Sequence, residues 1–183
     1  SFVNISNTAY FTKNPVARWI VSSYGDSFGT NVDDYYTGML INEEAAEPSD
    51  YPLSHEFDDI GWAVMTDSLV DTDRVQLTFK SSPFGTYNHV AAEQNAFFLQ
   101  AYGKILAGKS GYYDSYHSPH HATVSKATYA HNSITVDGGK GQSNANFNAK
   151  GDITQFVSHL DFDSATGDAS EAYVGENKIG ENA

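Results

Sequence analysis

The most informative part of the chain is residues 81–111, which read S-S-P-F-G-T-Y-N-H-V-A-A-E-Q-N-A-F-F-L-Q-A-Y-G-K-I-L-A-G-K-S-G. A polar loop containing Pro83 and Gly85 carries His89, and the alternating segment 96–102 that follows predicts a strand. A loop that delivers a histidine beside a rigid strand is a common way to place a catalytic group. Because one histidine alone is weak evidence, the order of the residues around it carries the information.

The chain beyond Pro52 has the pattern of an antiparallel β domain. Short β-rich segments bounded by turn residues predict strands at 62–65, 75–79, 96–102, 133–136, 153–160 and 162–165. Asp137-Gly138-Gly139 and Thr166-Gly167-Asp168 are typical of turns. We therefore expect a mainly β fold of stacked antiparallel sheets, resembling a β-sandwich.

The N-terminal part is predicted to be helical. Asn14 suits a helix N-cap and Pro15 the first helical position, and apolar spacing continues to a glycine at 25, so residues 15–24 predict a helix. A second short helix is expected at 33–41, and the acidic, proline-containing segment 42–52 is interpreted as a linker. The expected domains are a helical segment, 1–50, and an antiparallel sheet domain, 51–183.

The composition narrows the classes of function. The chain has 183 residues, 40% of them hydrophobic, and a formal net charge of −13, which together indicate a folded protein with little attraction for nucleic acid. There is no cysteine, so neither a disulfide nor a thiolate metal site is available. No apolar run approaches membrane-spanning length. We expect neither a nucleic-acid nor a membrane partner.

The order of residues in this stretch resembles the heparinase II/III-like polysaccharide lyases, a group that includes alginate and oligoalginate lyases. Their loop of the type S-S-P-x-G-x-x-x-H-x-H-A-D-Q-N-x-F precedes L-x-A-x-G-x-x-L-x-x-D-S-G-Y-Y. The matches in register are Ser81, Ser82, Pro83, Gly85, His89, Ala92, Gln94, Asn95, Phe97, Leu99, Ala101, Gly103, Leu106, Ser110, Gly111, Tyr112 and Tyr113. The segment A-H-N-S-I-T-V-D-G, residues 130–138, resembles a third landmark of the family.

The resemblance implies a fold and an activity. Members have an α/α toroid before a stacked antiparallel sheet domain, so this chain is expected to be the end of the toroid plus the first part of the sheet domain. The implied function is cleavage of a uronate polysaccharide, alginate first, by β-elimination, in a secreted or periplasmic enzyme. The implied partners are the anionic polysaccharide and the remainder of the same enzyme. Two alternatives stay open, a glycosaminoglycan lyase of the heparin or heparan type and a non-catalytic carbohydrate-binding β-sandwich.

The resemblance also implies site residues. His89 corresponds to the histidine that the family's sheet domain contributes to acid–base chemistry. Tyr87 and Asn88 flank it and can contact sugar hydroxyls, although turn formation explains them equally well. Further substrate contacts are expected from three side chains of the following segment, although aromatic residues near strand ends are more often core: Tyr112, Tyr116 and His120. Lysines and histidines concentrate near the motif, so a basic cleft can exist in an acidic protein.

A metal site is not expected. Relatives hold a metal ion, zinc or another divalent cation, with three side chains at positions that here are Ala91, Lys109 and His131. Two of the three ligands are therefore absent, and the Lys109 ammonium is expected to replace the cation's charge near Glu93 or His131. The stretch H-S-P-H-H, residues 117–121, offers His117, His120 and His121 as an alternative metal site, but this spacing is a weak signal without a carboxylate.

Overall fold

The computed structural model describes residues 14–24 and 45–173. The chain divides into two compact units, Ser1–Tyr51 and Pro52–Ala183. In the first, helix α1 spans Pro15–Tyr24 as the sequence predicts. The Asn14 side chain caps it by accepting hydrogen bonds from the backbone N–H groups of Val16 at 2.9 Å and Ala17 at 3.1 Å. The predicted helix at 33–41 lies outside the described residues, and the assignment of this unit to a toroid stays a prediction.

The second unit is built from two antiparallel sheets, which confirms the predicted mainly β fold. The first sheet has the order β1-β2-β3-β4-β5, with strands His55–Phe57, Trp62–Thr66, Gln76–Lys80, Ala96–Ala101 and Lys104–Ala107. The second pairs β6, Asp152–His159, with β7, Phe162–Asp168. Three short helical segments lie between these strands, Asp58–Ile60, His121–Ser125 and Thr128–Ala130, and a fourth, Ser170–Ala172, follows β7. Within the described ranges, no helix has the length and apolar character needed to cross a bilayer.

Two strands of the first sheet were not predicted. β1 is only three residues long, and β5 follows β4 through a tight turn at Tyr102 (φ 55°) and Gly103 (φ 66°). Two consecutive positive φ values are typical of a two-residue hairpin turn whose twist matches the flanking strands. The apolar run after that glycine is therefore the returning edge strand of a hairpin.

Residues 133–136 were predicted to be a strand, and this prediction is wrong. Only Val136 makes a β-bridge, with Lys140, across the predicted turn at Asp137. The preceding residues bond inward instead: Ser133 Oγ donates to Gln94 O at 2.6 Å, and Ile134 O accepts from the Tyr173 hydroxyl at 2.6 Å. Because these groups are engaged by the polar interior, the segment forms no sheet ladder.

The predicted turn at Thr166-Gly167-Asp168 is also wrong, because all three residues lie in β7. A Cβ at position 167 would lie 2.4 Å from Asn95 Oδ1 and 2.9 Å from Phe79 Cζ. Glycine is therefore needed here for the close approach of β7 to the end of the first sheet. The same contact brings the second sheet against the loop that precedes β4.

The interior beneath the His89 loop is polar, and Gln94 is its centre. Its side chain is fully buried; Oε1 accepts from Ser82 N at 2.7 Å, while Nε2 donates to Phe84 O at 2.9 Å and to Ala149 O at 3.3 Å. Its backbone N–H donates to Gln142 Oε1 at 2.7 Å. The Gln94 amide therefore ties down the backbone of the loop that carries His89.

Candidate active site

His89 lies in a loop that Lys126 contacts both before and after the histidine. The Lys126 ammonium donates to Asn88 O at 2.9 Å, and Lys126 O accepts from Ala92 N at 2.9 Å. Asn88 takes the left-handed conformation, with φ 54°, which asparagine tolerates better than most residues. Partial burial lowers the pKa of Lys126. The backbone around His89 is thus fixed by contacts that reach 38 residues along the chain.

The His89 imidazole is exposed and is oriented by a tyrosine pair. Its Nδ1 lies 3.1 Å from the Tyr113 hydroxyl, and the Tyr112 hydroxyl donates to that same oxygen at 2.8 Å. The hydrogen bond with Tyr112 raises the pKa of Tyr113, so Tyr113 stays neutral at physiological pH. Among the described residues nothing bonds His89 Nε2, which leaves one ring nitrogen available to exchange a proton with a ligand.

Two further rings complete what we call the ring cluster, made of His89, Tyr112, Tyr113, Tyr116 and His121. The Tyr116 ring centroid lies 4.6 Å from that of His89, and the His121 centroid lies 4.3 Å from that of Tyr113. Tyr116 also donates to the Asn88 side-chain oxygen at 2.6 Å. Aromatic faces arranged around an exposed histidine are suited to sugar rings.

His121 supports the cluster from beneath. It is 4% exposed, and its Nδ1 accepts from His117 N at 3.0 Å, which requires that nitrogen to be unprotonated. Burial lowers the pKa of His121, and the positive charges of Lys126, His117 and His89 lower it further. The ring centroids of His117 and His121 are 6.3 Å apart, and in the described ranges no three His, Cys, Asp or Glu side chains are placed to hold a metal ion together.

The structure distributes the predicted substrate-contact residues unevenly. Tyr112 and Tyr116 join His89, and Asn88 contacts Tyr116, whereas Tyr87 stacks on Phe147 with centroids 4.3 Å apart. His120 is exposed at the start of the segment His121–Ser125 and has no ring contact among the described residues. The sequence did not predict that Tyr113 orients His89 or that Lys126 holds the loop of His89. The Tyr-Tyr pair was a signal for the first, whereas nothing local in the sequence marks the second.

A partly buried network of Glu93, Lys80 and His131 lies next to the cluster. Glu93 Oε1 lies 2.8 Å from Lys80 Nζ, and Glu93 Oε2 lies 2.8 Å from His131 Nδ1. Burial alone would raise the pKa of Glu93, but the hydrogen bond from His131 and the charge of Lys80 lower it to about 2. His131 Nε2 lies 3.1 Å from Ser125 O, so both of its ring nitrogens face acceptors.

The residues at the family's metal position do not fit a divalent cation. Ala91 has no donor atom, Lys109 is an ammonium, and His131 is bonded through both nitrogens. Lys109 lines the same pocket as Glu93 and His131, and its Nζ lies 4.8 Å from the centroid of the Tyr112 ring. The expected placement of Lys109 near Glu93 and His131 agrees with this pocket, and a metal-free site stays a prediction.

The Glu93 network should make the protein sensitive to acid. Because the pKa of Glu93 in the folded protein lies below its ordinary value of about 4.5, the stability that this network contributes is present above about pH 4.5 and is lost as the pH falls toward 2. Glu93→Gln should lower the free energy of unfolding at pH 7 by about 2 kcal/mol and flatten its decline in acid. Denaturant unfolding from pH 7 to pH 2.5 measures the loss of stability at neutral pH and the slope in acid. Glu171→Gln, at an exposed glutamate, is the control. Parallel pH curves for Glu93→Gln and wild type would contradict this assignment.

Restoring the family's ligands should create a metal site. We expect the double variant Ala91→His, Lys109→Asp to bind zinc through the two new side chains and His131. Equilibrium dialysis with elemental analysis measures the bound zinc, and each single variant serves as a control. Stoichiometric zinc in the wild-type protein that depends on His131 would show that the lysine does not replace the metal.

Comparison with known proteins identifies the family. The profile of the heparinase II/III-like C-terminal domain matches residues 50–178, which is more than half of the chain. The chain belongs to this family. The match begins at the boundary between the two compact units and contains the whole ring cluster of this heparinase II/III-like domain. A search of curated proteins finds no match.

Solved structures agree on the fold. A heparinase III gene product superposes with a TM-score of 0.62 at 18% identity, covering 91% of this chain and 22% of that one. The heparan sulfate lyase HepC from Pedobacter heparinus superposes with a TM-score of 0.55 at 16% identity, covering 82% of this chain and 22% of that one. At such identities the likeness concerns the fold. The heparinase II/III-like chain described here spans about a fifth of the length of these proteins.

Proposed function

We propose that this chain is the central part of a polysaccharide lyase that cleaves a uronate-containing polymer by β-elimination, with His89 as an acid–base residue. The observation that carries the proposal is the way the His89 ring is oriented and exposed. Its Nδ1 is oriented by Tyr113 at 3.1 Å, while its Nε2 is open to solvent among exposed tyrosine rings. An oriented imidazole with one free nitrogen is what proton transfer to or from a bound sugar requires.

The chemistry of elimination explains why an oriented histidine is useful. The C5 proton of a uronate is weakly acidic, so its carboxylate has to be neutralised while a base removes that proton. The departing glycosidic oxygen then needs a proton from an acid. The family resemblance assigns further groups, a tyrosine and an asparagine, to the helical toroid. The remainder of the enzyme is therefore the partner that completes this site.

For the substrate we propose alginate first and a heparan-type glycosaminoglycan second. The motif in residues 81–113 supports alginate, because it resembles alginate and oligoalginate lyases. The glycosaminoglycan has its own support, since two similar structures are described as heparinase III and heparan sulfate lyase. Both polymers are anionic, and Lys109, Lys126 and His131 lie beside or beneath the ring cluster.

The experiment is a direct assay for the elimination product. The full-length natural protein is incubated separately with alginate and with heparan sulfate, and ultraviolet absorbance reports the unsaturated uronate that elimination creates and hydrolysis does not. We expect absorbance to rise with at least one polymer. Depolymerisation without this rise would reject a lyase, and binding of both polymers without cleavage would favour the alternative below.

The alternative is a non-catalytic carbohydrate-binding domain, and one observation favours it. Within the described residues, His89 lies on an open aromatic surface and not in a closed cleft. A binding domain would retain polymer without forming product. Its affinity would fall on loss of Tyr112 or Tyr116, because sugar stacking depends on the rings and not on a titratable group.

A further inference from the structure

A pocket beside the ring cluster gathers two lysines and a histidine around one carboxylate. It has a volume of about 160 Å³ and is lined by Lys80, Lys109, His131 and Glu93, which is the only acidic residue along its wall in the described part of the chain. Lys80 and His131 are nearly buried, with side chains 12% and 5% exposed. Lys109 is exposed at the opening.

Both oxygens of the Glu93 carboxylate already have partners. Lys80 occupies one Glu93 oxygen at 2.8 Å and His131 the other at 2.8 Å. Within the described ranges no carboxylate pairs with Lys109, whose contact is the face of the Tyr112 ring at 4.8 Å. His131 also faces the Ser125 carbonyl, so both of its ring nitrogens have a partner. Because two ammonium groups line the pocket beside a single carboxylate, the pocket carries an excess of positive charge, in line with the lowered pKa of Glu93, about 2.

The sheet register shapes this pocket. Trp62, Lys80 and Ala96 lie directly opposite one another on β2, β3 and β4, so they share one face of the sheet. The small Ala96 side chain leaves a depression beside Lys80, and the Trp62 ring is 40% exposed at the same pocket. A space of about 160 Å³ is below the range of whole-ligand sites and suits a single oxyanion group.

We propose that this pocket binds an acidic group of the polysaccharide, a carboxylate or a sulfate, on a sugar neighbouring the one at His89. The proposal rests on the proposed function, because it gives the same anionic polymer a second point of attachment. The two sites are continuous: Lys109 lies over Tyr112, whose hydroxyl donates to Tyr113, and Tyr113 contacts His89. Lys109 supplies the free charge, and Trp62 a flat surface for the sugar ring.

The test removes the exposed charge of Lys109 and leaves the Glu93 network intact. Lys109→Gln is compared with Lys104→Gln, an exposed lysine of β5 outside the pocket. Isothermal titration of the full-length protein uses an alginate oligosaccharide, which carries carboxylates alone, and a heparan sulfate oligosaccharide, which also carries sulfates. Lys109→Gln should weaken binding about tenfold, the loss expected for one charge-assisted hydrogen bond, and should reduce the salt dependence of the Kd. Lys104→Gln should bind like wild type.

The outcomes separate the pocket from the reaction. A loss with both oligosaccharides supports a carboxylate ligand, and a loss with the sulfated one alone supports a sulfate ligand. Equal affinities for Lys109→Gln, Lys104→Gln and wild type would contradict the proposal that this pocket binds an acidic group. The lyase proposal would be unaffected if the unsaturated product still forms. If the wild-type protein forms no unsaturated product but Lys109→Gln still binds more weakly, the anion-pocket proposal is supported and the lyase proposal is rejected.

Discussion

Replacing His89 with alanine should lower the turnover of a uronate polymer by about two orders of magnitude or more, the size expected for losing a positioned acid–base group. The side chain is exposed and bonded through Nδ1 to Tyr113, so its removal takes away the reacting group and little of the fold. The loss should appear in kcat more than in KM, because proton transfer occurs in the transition state. The measurement is the initial rate of ultraviolet absorbance increase with the full-length enzyme.

Two further variants separate proton transfer from positioning. His89→Gln can still hydrogen-bond but cannot titrate, so it should be as inactive as His89→Ala if proton transfer is the role. His159→Ala, at an exposed histidine of β6, is the matched control and should retain wild-type rates. Recovery of activity in His89→Gln would mean that His89 positions the sugar or its carboxylate. Wild-type rates in both His89 variants, at an unchanged melting temperature, would remove His89 from the mechanism.

Replacing Gln94 with alanine should lower the free energy of unfolding by about 4 kcal/mol, the largest stability effect we expect from a single side chain here. The buried Ser82 N–H would lose its acceptor, and the Phe84 and Ala149 carbonyls would lose their donor. Each unpaired buried group costs about 1–3 kcal/mol, and a cavity adds to this cost. Denaturant unfolding at pH 7 measures the change.

Gln94→Glu tests whether the amide donor matters. The carboxylate keeps the size and the acceptor but turns an oxygen toward two carbonyls that need a donor. The Gln94→Glu protein should therefore be destabilised to a similar extent as the Gln94→Ala protein. Gln155→Ala, at an exposed glutamine of β6, should change stability little. A stable Gln94→Glu protein with an intact His89 loop would show that the donor to these carbonyls is dispensable.

Local patterns were sufficient for much of the fold. Helix α1 has a cap at Asn14, and the strands around Leu77, Phe98 and Phe156 have the residue types and bounding turns that strands require. The motif placed His89 in a loop before a strand, which is where the structure has it. These features depend on residues close together in the chain, and a sequence displays such relations directly.

Other features follow from contacts between distant residues. Residues 166–168 have the composition of a turn, yet they lie in β7. Position 167 is a glycine because Asn95 and Phe79 leave no room for a Cβ there. Residues 133–136 have the composition of a strand, but the buried Gln94 binds Ser133 and Tyr173 binds Ile134. No local propensity reports such demands, since they arise only after the chain has folded.

The sequence by itself determined the family and the mainly antiparallel fold, and it singled out His89 as the candidate histidine. Tertiary structure alone decided that Tyr113 orients His89, that Lys126 holds its loop, and that Glu93 binds Lys80 and His131. The physical reason is distance along the chain. A hydrogen bond across 24 or 38 residues depends on how the intervening strands and loops pack, and residue identity alone does not encode that geometry locally.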